Sequence, residues 1–436
     1  MGLPSAHSCP IGPIRPILSP KSHPRPPDMH STLRFGPDAQ VILELPPDAL
    51  VADCGRPRGV PLDDPAAAMA AALVEPLDMP PLAQCVVPGD QVALALEPGL
   101  PQVAALVSGV VDTLLAAGVQ AHDIAILRTL EDARASADDP REALAAGVAE
   151  KIELVTHDPE CRDELRYLAA TREGRSIYIQ RRLHEADLVL PIGCLRSGTS
   201  PGYHGIHGGL YPTFSDKRAQ RRFRLAGAST AKVRRRRAEA DEVAWLMGLS
   251  MTIQVVPAGD GQVLHILAGD ISGVLRQGRR LCQHAWCNSV PRRASLVVAA
   301  IDGGPRQQTW DNVARALAAA RRVVSDGGAI ALCTELMDAP GPAMRQLEGS
   351  SDWDEALREI RRDRLVDLVP ATELARARDR ASVYLLSRLE SDQVESLGMA
   401  PMEDLQELAR LSGRFPSCIL LSSAQYAAVR LEEEDD

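Results

Sequence analysis

Along this chain, short apolar runs alternate with longer stretches in which apolar positions recur every three or four residues. The first pattern fits a strand buried on both faces, the second a helix with one buried stripe. Val92–Leu96 predicts a strand, and Pro101 to Ala117 a helix that stops at Gly118. Ile124–Leu127 is the next strand, Ala143–Ala149 lies in a helix, and Ile152–Val155 and Leu188–Ile192 are again strand-like. Ile253–Val256 and Val263–Leu267 predict a hairpin turning at Asp260-Gly261, a pair that tolerates positive φ.

After Gly269-Asp270 the alternation restarts with a helix over Ile271–Ala285, a strand at Leu296–Ile301, a helix over Val313–Val324 and a strand at Ala329–Cys333. Strands at Val383–Leu386 and Ile419–Leu421 flank a last helix, Met402–Leu411. Such alternation builds βαβ units. The expected fold is therefore α/β with two domains, each a mostly parallel sheet flanked by helices, and a cleft between them. The N-terminal α/β domain is expected over 31–268 and the C-terminal one over 269–431.

Residues 1–30 hold eight prolines and no hydrophobic period, which predicts a disordered leader; Met29, at its end, is an alternative start to Met1. Residues 432–436 form an acidic, solvated tail.

Composition narrows the picture. Aromatic residues are only 3% of the chain, so Ala, Leu and Val must build the core, which suits helices on parallel strands. A net charge of −10 argues against a general nucleic-acid binder. There is no apolar run long enough to span a membrane and no secretory leader pattern. Nine scattered cysteines without framework spacing then read as thiols of a reducing cytoplasm.

In parallel sheets ligands bind beyond the carboxyl ends of strands, and three loops there carry chemistry. Gly193 to Pro212 holds six glycines together with Arg196, His204, His207 and Tyr211. Glycines let backbone approach a ligand, and histidines titrate near neutral pH, suiting proton transfer or metal binding. Two histidines are too few for a metal site, so any metal remains unknown. The second loop, Asp302 to Arg315, places Gly303-Gly304 before a helix start capped by Thr309. Asn312 and Arg315 fall one turn apart there, both able to face a carboxylate. The third stretch, Lys217 to Arg237, has ten Lys or Arg in 21 residues and reads either as a solvated face or as a phosphate site. Cys282-x-His284-x2-Cys287 does not share one helix face, and His157-Asp158 reads as catalytic or as a cap.

Taken in order, these landmarks resemble the nickel-pincer lactate racemase family over most of residues 34–425. The resemblance rests on Arg34-Phe-Gly, the run Val86 to Leu94, Leu154-Val-Thr-His-Asp158, Ala186 to Gly193, Ile266-Leu-Ala-Gly-Asp270, Gly303-Gly-Pro and Val324 to Ile330. It implies an isomerase of the racemase or epimerase class acting at C2 of a 2-hydroxy acid. It further implies hydride transfer to a nickel-pincer nucleotide, two histidines as acid and base, cations on the carboxylate, and a lysine holding the cofactor. Carried onto this chain, His204, His207, Tyr211 and Arg196 are the catalytic candidates. Asn312, Arg315, Gly303 and Gly304 fall to the substrate, and Gly208, Gly209 and Lys217 to the cofactor. The chain departs from the family where an arginine is expected (Ala95 to Pro101), where a histidine is expected (Arg128 to Arg134), and where the anchoring lysine would stand, at Tyr211. A non-catalytic paralogue binding a small carboxylate or phosphate is the alternative.

Overall fold

The computed structural model describes residues 29–45, 48–55, 57–135, 139–171, 173–224, 230–350 and 352–432. The proline-rich leader lies outside the described residues except for Met29 and His30, which open a strand, Met29–Phe35. Of the acidic tail only Glu432 is described.

The first of two six-stranded sheets runs, edge to edge, Val263–Asp270, Met251–Pro257, Leu188–Cys194, Val92–Leu96, Ile124–Thr129 and Glu153–His157. Every pair is parallel except the outer hairpin. Val92–Leu96 is buried at all five positions, as its continuous apolar run requires of a central parallel strand. From it the chain proceeds outward to Ile124–Thr129 and Glu153–His157, then returns to its other side with Leu188–Cys194. The winding therefore reverses between Val92–Leu96 and Leu188–Cys194, where the carboxyl ends open a crevice. The expected hairpin turns where Asp260 and Gly261 adopt φ of 57° and 69°.

The second sheet is parallel throughout, in the order Ala400–Met402, Ala381–Leu386, Val324–Cys333, Ala294–Ala300, Cys418–Leu421 and Leu50–Cys54. It too reverses, between Ala294–Ala300 and Cys418–Leu421. Residues 31–45 and 48–54 fall inside the N-terminal domain expected from sequence, yet they build onto this second sheet. Ala39–Leu45 alternates exposed and buried positions, so only one face is apolar. Val41, Leu43 and Leu45, with Leu33 of its hairpin partner, cover Leu296, Val298 and Leu420 of the second sheet. Helix Trp310–Val323 buries Val313, Ala316, Leu317 and Ala320. Thr309 caps it, accepting from Asn312 N at 3.3 Å.

Among the described residues no helix is long and apolar enough to cross a membrane, and all eight described cysteines are free thiols.

Candidate functional site

Each sheet presents its reversal to the other. A cavity of 210 Å³ lies where they meet, lined from one side by Glu97, Glu131, Asp132, Arg196, His204 and Gly208, and from the other by Arg306, Asp311, Asn312 and Arg315. Each group follows the carboxyl end of a strand: Glu97 follows Val92–Leu96, and Arg196 follows Leu188–Cys194. A second, larger cavity of 460 Å³ lies beside Arg34, Asp260 and Asp302. Its buried carboxylate is already satisfied, since Asp302 accepts from Ser423 Oγ at 2.5 Å, Asp260 N at 2.8 Å and Gln425 Nε2 at 2.8 Å. The smaller cavity holds the unsatisfied charge.

The two halves are tied across the boundary. Arg306 Nη1 pairs with Asp132 Oδ2 at 2.8 Å, both side chains under 10% exposed, and Gln307 Nε2 donates to Gly99 O at 2.7 Å. Arg315 Nε reaches Pro201 O at 3.3 Å, while its Nη1 donates to Asn312 Oδ1 at 2.6 Å. Arg196 lies over the Tyr426 ring at 5.0 Å, and its Nε has no hydrogen-bond partner. Neither Arg196 nor Arg315 forms an ion pair among the described residues. Burial and then the Arg196 charge lower the Arg315 pKa to about 10, so it stays cationic at neutral pH. Two desolvated guanidiniums that repel each other are a seat for an anion.

Glu97 donates nothing but accepts from Cys194 N at 2.8 Å. Burial raises its pKa, against the pull of Arg196. Glycine keeps room for this carboxyl, because a Cβ at Gly193 would lie 2.8 Å from Glu97 Oε2, and one at Gly209 3.0 Å from Glu97 Cβ. Glu131 and Asp311 stand open to the cavity. Enclosure by protein, then the charge of Asp311, raises Glu131 to about 7.

Of the residues singled out in the sequence, Arg196, His204, Gly208, Asn312 and Arg315 line this cavity. His204 stacks edge-on against Phe223 at 5.2 Å. Burial, then Arg237, Arg236 and Arg315, lower its pKa to about 4, leaving it neutral at neutral pH. Asn312 spends its amide on Gln307 O at 2.7 Å and so positions Arg315. The rest lie elsewhere. His207 turns away to Asp241, Nδ1 to Oδ1 at 2.8 Å. Tyr211 is fully buried, its hydroxyl donating to Glu239 at 3.3 Å and accepting from Arg222 at 2.9 Å. Their loop folds back on itself, with Tyr211 N donating to His207 O at 2.9 Å. Lys217 pairs with Glu160 at the surface. Gly303 N donates to Gly36 O at 2.9 Å, and neither Gly303 nor Gly304 lines the cavity. His157 is buried against Ser215 O at 3.0 Å, and Asp158 caps Glu160 N at 2.9 Å.

Within the basic stretch several arginines are spent on the protein itself. Arg222 and Arg236 hold Glu239 at 3.1 and 2.7 Å. Arg235 pairs with Glu173, and Arg237 Nη2 donates to Gly198 O at 2.6 Å. It fastens the glycine-rich loop to helix Thr230–Leu246.

Fold and site together define an α/β protein with two six-stranded, mostly parallel sheets and a small charged cavity lined by residues from the loops and helix starts that follow strands of both. Residues 37–225 match the family model for the lactate racemase N-terminal domain. The structure resembles that of the lactate racemase apoprotein from Thermoanaerobacterium thermosaccharolyticum, with a TM-score of 0.71 and 17% identity over 92% of this chain and all of that one. A protein from Thermotoga maritima is also similar, with a TM-score of 0.59 and 14% identity over 86% of this chain and all of that one. No curated protein matches. The likeness is thus to the lactate racemase N-terminal domain over residues 37–225 and to the lactate racemase fold over most of the chain.

Proposed function

We propose that this chain is a divergent isomerase, of the racemase or epimerase class, acting on a 2-hydroxy acid or related small carboxylate held between its lobes. The observation that carries this reading is the pair Arg196 and Arg315, brought from different lobes to one cavity without an ion-pair partner. A carboxylate there would neutralise two desolvated cations at once. Turnover of a panel of 2-hydroxy acids, followed by chiral chromatography with and without added nickel-pincer nucleotide, tests it. Conversion of one enantiomer supports the reading, and no conversion anywhere removes the 2-hydroxy acid as its substrate.

The residues present do not fit covalent attachment of the nickel-pincer nucleotide. Tyr211 occupies the place that the resemblance gives to the lysine, and its hydroxyl is spent on Glu239 and Arg222. The chain has four lysines, at 21, 151, 217 and 232, and among the described residues none lines the cavity. Tyr211→Lys is accordingly expected to cost stability and not to restore attachment. It would place a third cation beside Arg222 and Arg236 in a buried site. A lower melting temperature with no mass adduct is the expected outcome. The same misfit favours the second reading, a carboxylate-binding paralogue without catalysis, for which the signature is stabilisation by a ligand that is never converted.

A further inference from the structure

Glu131 follows the carboxyl end of strand Ile124–Thr129, and Asp311 sits in the first turn of helix Trp310–Val323 on the other lobe. Both line the 210 Å³ cavity that holds Arg196 and Arg315. Acids that serve the fold here are paired: Asp132, next in sequence, is clamped by Arg306 at 2.8 Å and accepts from Gly99 N at 3.1 Å. Glu131 and Asp311 have neither a hydrogen-bond nor an ion-pair partner among the described residues. The fixed Asp132–Arg306 bridge thus holds two unspent carboxyls, one from each lobe, at the cavity that the cations mark for an anion.

We propose that Glu131, working opposite Asp311, is the proton-transferring group of this cavity, and that its substrates are small carboxylates whose reacting C–H is acidified by an adjacent carbonyl, such as 2-oxo acids. This rests on the reading above only for the seating of a small carboxylate, and takes its related-carboxylate branch in place of the 2-hydroxy acid. The C2–H of a 2-hydroxy acid has no neighbouring group to accept its electrons, and a carboxylate base is far too weak to remove it as a proton. Beside a carbonyl the same base suffices, given fixed cations for the developing charge. In that step Glu131 takes a proton from carbon. The C–H pair becomes the new C=C bond, and the carbonyl π pair moves onto oxygen. The enolate oxygen is stabilised by the nearby guanidiniums Arg196 and Arg315. Return of a proton to the same carbon restores the ketone, so the step needs no oxidant, reductant or metal and leaves exchange with solvent as its trace.

The groups acting on Glu131 are Asp311, Arg224, Asp132 and Arg315. Desolvation first, then Asp311 and Asp132, raise it to about 7 while Arg224 and Arg315 oppose this, so the base form predominates only above about 7. The full-length protein in D2O with pyruvate, followed by loss of the methyl signal in proton NMR, tests the proposal. Exchange is expected above the buffer rate, rising as pH passes through neutrality and then levelling. Glu131→Gln should lose it by about 100-fold or more, while an unchanged melting temperature shows that the variant is folded. Asp311→Asn should move the midpoint of the exchange–pH profile to lower pH, which a merely structural role would not do. Wild-type exchange equal to buffer, full exchange by Glu131→Gln, or an unmoved midpoint in Asp311→Asn each overturns the proposal. Thermal stabilisation by oxalate separates the two levels. If oxalate stabilises the protein but pyruvate does not exchange, this inference alone fails; if neither occurs, the carboxylate-binding reading fails with it.

Discussion

Replacing Arg315 with methionine is expected to weaken binding of oxalate by about 2–4 kcal/mol, roughly 30- to 1000-fold in Kd. Arg315 reaches the cavity from the second lobe and makes no ion pair of its own. Its charge is therefore free to meet an anion. Stability should change little, by about 1 kcal/mol or less. Loss of two hydrogen bonds is offset by relief of a desolvated charge that Arg196 repels. Arg315→Lys should not rescue binding, because a single ammonium cannot bond Asn312, Pro201 O and a ligand in one plane. Isothermal titration with oxalate alongside thermal melts checks both parts. A parallel fall in stability and affinity would place Arg315 in the fold and not in the site.

The second large effect concerns the basic stretch. Glu239→Ala is expected to destabilise the protein by about 3–5 kcal/mol, the usual consequence of stripping the partner from buried cations. The Glu239 side chain is 5% exposed and holds Arg222 at 3.1 Å and Arg236 at 2.7 Å, with the Tyr211 hydroxyl at 3.3 Å. Burial pushes its carboxyl up, but Arg222 and Arg236 outweigh this and hold it below the ordinary range. A depressed folded pKa means that this contribution is present above the unfolded value and lost as pH falls through the folded one. Denaturant titrations should therefore show the wild type and Glu239→Ala converging at acid pH. A constant difference at every pH would refute the assignment.

How much of this was legible in the sequence follows from which interactions are local. The strands over Val92–Leu96 and Leu188–Ile192, the helix after Thr309 and the turn at Asp260-Gly261 were readable because each depends on its own residues. Arg196, His204, Asn312 and Arg315 were readable as loop chemistry at strand ends. His207 and Tyr211 were misplaced because composition cannot tell that their loop folds back, burying one against Asp241 and the other against Glu239. Glu97, Glu131, Asp132, Arg306 and Asp311 were missed. The first three lie in segments read only for the residues they lacked. Their worth depends on partners distant in sequence, such as Asp132 and Arg306, 174 positions apart. One signal was available for Glu97: it is the first residue after the central strand, at the mouth of the reversal.

The most direct measurement is a crystal structure of the protein grown with oxalate. The account predicts oxalate in the 210 Å³ cavity with its carboxylates against Arg196 and Arg315, Arg315 still braced by Asn312. Oxalate bound elsewhere, or that cavity without it at saturating concentration, would contradict the claim that the facing sheet reversals form a small-carboxylate site.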